Sequence, residues 1–129
     1  MLQIAMTLSY SFISKLASGL CFILFLSLLL VPGLIYWIFG LIGNEVSDLM
    51  ARRAAMLFLG VAVVTFLSRE TPPSQLRANL CFGLAVMMAG LAGVGFFEFV
   101  RGAVGMGIWL AILTEISFAL AYFKLSKQV

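Results

Sequence analysis

The sequence predicts an all-α integral membrane protein, a four-transmembrane-helix bundle with a short interfacial helix after helix 1. Three observations predict it. Of the 129 residues, 64% are hydrophobic types and 10% are charged, against about 25% charged in an ordinary soluble domain. The mean hydropathy is +1.18. The charges gather between long uncharged stretches, and a hydrocarbon layer of about 30 Å needs about 20 apolar residues per helical crossing. The polar stretches 44–53 and 68–78 are too short to fold as a soluble domain, so residues 1–129 read as a single transmembrane domain.

The first span is expected over 12–31. Lys15 precedes a run without charge from Leu16 to Asn44, much longer than the roughly 7 to 15 apolar residues of a signal peptide, so the segment reads as a retained anchor. Pro32-Gly33 interrupts it, because proline lacks the amide hydrogen and clashes with the preceding turn. Tyr36 and Trp37 follow at once. Aromatics of this kind settle at headgroup level, which favours an interfacial helix over 34–42; one long, kinked helix is the alternative.

The second span is expected over 49–68. Asn44, Glu45 and Asp48 suit a helix N-terminus, and Arg69, Glu70, Pro72 and Pro73 close it. Arg52 and Arg53 then lie in its first turns, where they snorkel outward or pair with an acid. The third span, 78–97, is free of charge between Arg77 and Glu98, and the fourth, 105–123, ends at Lys124 and Lys127 and carries Glu115 within it.

Four crossings place Lys15, Arg69, Arg77, Lys124 and Lys127 on one side and Arg52, Arg53 and Arg101 on the other. The positive-inside rule then favours both termini in the cytoplasm. Histidine is absent, which removes bis-His haem, His-based zinc and Glu-x-x-His di-iron sites. The two cysteines, Cys21 and Cys81, form no C-x-x-C pair; they read as small buried hydrophobes at similar depth. No metal site or cofactor is expected. There is no basic block or stacking array for a nucleic-acid partner, and no nucleophile beside a base, which argues against an enzyme.

Glu115 is the foremost candidate. It lies about 13 Å from Lys124 along a helix of 1.5 Å rise, near the midplane. A charge there costs on the order of 2.5 to 3.5 kcal/mol on insertion scales, and such residues are usually paired, protonated or functional. Gly107, Ala111, Ala119 and Tyr122 share its helix face, making a small-residue seam with one acid and one phenol. Glu115 then either titrates protons or binds a cation, or it fastens helices together with Thr65 or Tyr10 as partner.

At the non-cytoplasmic boundary, Arg52, Arg53, Glu98 and Arg101 are expected to gather. They make either a lipid-headgroup or anion site, with Glu98 orienting an arginine, or ordinary interface anchoring. Asp48 and Arg52 are also spaced as an i, i+4 pair. In the third span Ala85, Ala89 and Gly93 recur every fourth residue, which predicts close helix contact within the chain or with another subunit or copy.

Several short patterns carry a resemblance. They are Leu30-Val31-Pro32, Phe39-Gly40-Leu41, Ala51-Arg52-Arg53-Ala54-Ala55, Leu59-Gly60-Val61 and Leu67-Ser68-Arg69. Together they resemble the small four-helix bacterial membrane proteins loosely similar to the DoxX/DoxD-like group. The resemblance implies a four-helix bundle with an interfacial segment after helix one, and some such proteins accompany quinone-linked oxidoreductases as small subunits. It transfers no catalytic residue, only the Arg52-Arg53 position as a family-like feature.

Two functional expectations follow. The first is a non-catalytic accessory or structural subunit of a larger membrane complex, or a small homo-oligomer, in contact with membrane lipids. The second is a lipid- or quinone-binding protein or small transporter that uses Glu115 and Tyr122 inside the bundle, which requires a cavity there.

Overall fold

The structure is a computed structural model that describes residues 2–129, with side chains described from Tyr10 onward. Five helices follow one another: α1 (Leu2–Leu30), α2 (Pro32–Phe39), α3 (Glu45–Leu67), α4 (Gln75–Val100) and α5 (Ile108–Leu125). Among the described residues four stretches are long and apolar enough to cross a membrane, namely Tyr10–Leu30, Glu45–Leu67, Gln75–Val100 and Ile108–Leu125. The protein is a multi-pass four-helix bundle.

The helix ends follow the local sequence. Val31 still donates its N–H to the Ser27 carbonyl at 2.9 Å, and Pro32 then opens α2 at the first helical position, where its missing N–H costs nothing. The break therefore yields a separate helix, a little earlier than 34–42. Asn44 caps α3 through a capping box, in which its side chain accepts from the Ser47 N–H at 2.9 Å while Ser47 Oγ accepts from the Asn44 N–H at 2.8 Å. Ser74 caps α4 by accepting from the Arg77 N–H.

The fourth crossing starts at Ile108, three residues later than 105. Gly102 turns the chain at φ +80°, and Gly105 donates its N–H to the Phe39 carbonyl at 2.8 Å. Backbone pairing with α2 thus occupies residues that hydropathy alone assigns to the span.

Packing is organised in two tight pairs, α1 with α3 and α4 with α5. Small residues permit the close approach: Ala51, Ala55, Ala62 and Thr65 of α3 and Ser14, Ala17, Ser18 and Cys21 of α1 are all buried, and Ala51 and Ala55 pack with Leu28 of α1. The Ser18 hydroxyl donates across this seam to the Ala62 carbonyl at 3.0 Å. At the end holding the start of α4 and the last turn of α5, the two pairs join. Tyr10 and Ala17 pack there with Cys81, Leu84, Ala85, Tyr122 and Leu125.

Toward the other end the pairs separate into two clusters. Leu28, Ala51 and Ala55 form one, and Ala92, Ile108 and Ile112 the other. Helix α2 bridges them, with Ile35 and Tyr36 on the first cluster and Phe39 on the second.

The inward face of α4 is Ala78, Cys81, Ala85, Met88, Ala92 and Gly95, all buried. The stripe read from sequence splits accordingly, because Ala89 and Gly93 face outward while Ala85 faces the core. A four-residue repeat drifts around a helix of 3.6 residues per turn, whereas alternating steps of three and four stay on one side.

Candidate functional site

The space left between the two clusters is a cavity of about 330 Å³. Cys21, Leu24 and Leu28 of α1 and Phe58 of α3 form one wall; Met88 and Leu91 of α4 and Ala111 of α5 form the other. Ile35, Ile38 and Phe39 of α2 roof it. Glu115 and Thr114 also border this space, and among the described residues no Lys or Arg does.

Glu115 has no hydrogen bond or ion pair among the described residues, and both Thr65 and Tyr10 bond elsewhere. Thr65 donates to the Val61 carbonyl of its own helix at 2.8 Å. Tyr10 donates to Ser68 Oγ at 3.2 Å. Thr114, beside the carboxyl, donates to the Leu110 carbonyl at 2.8 Å. Glu115 therefore borders the cavity and makes no hydrogen bond or ion pair to another helix among the described residues.

Tyr122 is fully buried at the joined end, with its hydroxyl 3.3 Å from Ser14 Oγ, and it does not border the cavity. The seam of Gly107, Ala111, Ala119 and Tyr122 is likewise divided. Ala111 lines the cavity, while a Cβ on Gly107 would overlap the Ile38 carbonyl of α2.

Of the four boundary residues, two pair with each other. Arg101 engages Glu98 of its own helix, with Nη2 to Oε2 at 3.0 Å and Nε to Oε2 at 3.1 Å. Glu98 is thus occupied by Arg101, and neither Arg52 nor Arg53 forms an ion pair among the described residues. Arg52 instead borders an open cleft on the far side of α2, with Tyr36, Trp37 and Asp48. Asp48 accepts from the Tyr36 hydroxyl at 3.0 Å, which replaces the expected i, i+4 pairing with Arg52.

Arg77 is the residue that sequence reasoning passed over as a mere boundary charge. It is the largest fully buried side chain, 1% exposed. Its guanidinium carbon lies 4.3 Å from the centre of the Tyr10 ring, one Nη donates to the Thr71 carbonyl at 3.1 Å, and the other donates to the Gln128 side chain. This one group joins α1, the α3–α4 turn and the segment after α5. The available signal was the seam of Tyr10, Ser14, Ala17, Ser18 and Cys21, whose spacing marks a buried face with a phenol at its end.

Both cysteines are buried free thiols; Cys21 lines the cavity and Cys81 lies in the core at the joined end. Among the described residues no three Cys, Asp or Glu side chains come together as a metal site. No family model, no curated protein and no solved structure matches the chain.

Proposed function

We propose that the protein is a non-catalytic membrane protein that holds a hydrophobic small molecule between its two helix pairs, against Glu115. One observation carries this reading: Glu115, an acid within a membrane span that has no hydrogen-bond or ion-pair partner among the described residues, borders an apolar cavity of about 330 Å³. Ligand pockets span about 300 to 1,000 Å³ and combine apolar walls with a few polar groups. An unpaired carboxyl is costly in such surroundings, and intramembrane acids commonly mark ligand or ion paths. In this reading the chain sits in a bacterial inner membrane with both termini cytoplasmic, as the excess of Lys and Arg at that end supports.

The test is chemical extraction. Wild-type protein and Ala111→Phe, which fills the cavity, are purified from membranes in mild detergent and their bound small molecules are compared by mass spectrometry. A hydrophobic compound retained by wild type and lost from Ala111→Phe supports the reading. Equal recovery from both, or none from either, contradicts it.

A second reading, an accessory subunit or homo-oligomer, is favoured by the outward face of α4. A Cβ added at Gly83, Gly90 or Gly93 would meet nothing within 4 Å, which leaves room for a neighbouring helix. Co-purification of a larger complex that Gly90→Leu and Gly93→Leu disperse would support it.

A further inference from the structure

The cavity's polar groups define what kind of molecule it would hold. Among the described residues Glu115 is the one formally charged side chain that borders it, with no basic one beside it, and the Thr114 hydroxyl is committed to its own helix. Holding a carboxylate without a partner in apolar surroundings is unfavourable by several kcal/mol or more, a cost that protonation removes in the empty cavity and that a cationic group on a ligand removes in the filled one. Phe39 and Phe58 on the walls add aromatic rings that attract a cation once water is excluded. A bare Ca²⁺ or Mg²⁺ ion is a poor match, since it needs about six oxygen ligands and the lining offers one carboxylate and one hydroxyl among its described side chains; no three Cys, Asp or Glu side chains come together there among the described residues. Leu20, Leu24 and Leu91 call for an apolar body instead.

The geometry points to a hydrophobic organic cation, an ammonium group on an apolar body, as the occupant of the cavity, with Glu115 as its counter-ion. This rests on the binding function proposed above. The cation sits by the Glu115 carboxylate, and the apolar body fills the space under α2. An anionic amphiphile is repelled by the same carboxylate. A neutral molecule gains the apolar contacts alone.

Two probes of the same shape test it, benzyltrimethylammonium and its uncharged carbon isostere neopentylbenzene. Met88 borders the cavity and is 2% exposed, so its ¹³C-methyl resonance, assigned with Met88→Leu, reports occupancy in lipid nanodiscs. In wild type the ammonium probe shifts this resonance saturably. Glu115→Gln, which keeps the side-chain size, weakens that binding by roughly tenfold or more but leaves the neutral probe's effect unchanged. Ala111→Phe abolishes the response to both probes. If Glu115→Gln binds the ammonium as tightly as wild type, the counter-ion role is wrong while the cavity stands. If neither probe moves Met88 in wild type, the binding function fails and the cation proposal with it. Should Glu115→Gln fail to fold, a wild-type preference for the neutral probe overturns the proposal and a preference for the ammonium supports it.

Discussion

Gly105 donates its backbone N–H to the carbonyl of Phe39 at 2.8 Å, and this single bond ties the turn before α5 to the last residue of α2. Phe39 roofs the cavity in which Glu115 lies. The pairing holds the roof in place, and the backbone beside it requires glycine at Gly40. Gly40 adopts φ +70°, and a Cβ there would come within 3.1 Å of the Gly105 nitrogen.

Substitutions at this junction are therefore expected to damage the fold far more than equivalent ones on α4. Gly40→Ala should cost about 1 to 2 kcal/mol for the left-handed backbone alone. Gly107→Ala should cost about 1 to 3 kcal/mol, because the Ile38 carbonyl must move. Gly90→Ala, in open surroundings, should not lower stability and should raise it by up to about 1 kcal/mol. Unfolding in mixed micelles ranks the three; equal losses would mean that the α2 roof is not seated as described.

Arg77 should behave as a clasp. Arg77→Ala removes the donations to Thr71 and Gln128 and the contact with Tyr10, with an expected loss of about 1.5 to 3 kcal/mol for charged hydrogen bonds. Arg77→Lys should recover little of it, since an ammonium lacks the planar fork that serves two acceptors and a ring together. Full recovery with lysine in the same unfolding assay would reduce Arg77 to a simple point charge.

Ser14 and Tyr122 share a buried hydrogen bond across the bundle, 3.3 Å between their hydroxyl oxygens. A double-mutant cycle of Ser14→Ala and Tyr122→Phe should give a coupling near 0.6 kcal/mol, the average for helix-to-helix bonds within membranes. Because Tyr122 lies away from the cavity, Tyr122→Phe should leave ammonium binding unchanged. A loss of binding equal to that of Glu115→Gln would place the two residues in one site after all.

Much of this architecture is legible in the sequence, because hydropathy and helix-ending residues act locally. Pro32 separates α1 from α2, Asn44 opens α3 and the charge-free stretch after Arg77 forms α4. Glu115 stands out for a similar reason, as an acid inside an apolar run. What the residues do not reveal is which groups meet across helices. Glu98 sits three residues from Arg101 and pairs with it, a local choice that outcompetes the distant Arg52 and Arg53. Tyr122 shares a helix face with Glu115 in sequence spacing, yet the helix pairs converge at one end and part at the other, so one residue meets Ser14 and the other a cavity. The clasp at Arg77 depends on Thr71 and Gln128, far apart along the chain, and no periodicity encodes such a meeting.

The whole account depends on a chain that crosses the membrane four times with Glu115 inside the bilayer. Dual compartment reporters fused after Glu70, after Gly102 and after Lys127 measure this most directly. The account predicts that the fusions at Glu70 and Lys127 report from the cytoplasm and the fusion at Gly102 from the opposite side. Fusions at Glu70 and Gly102 reporting from the same compartment would contradict it.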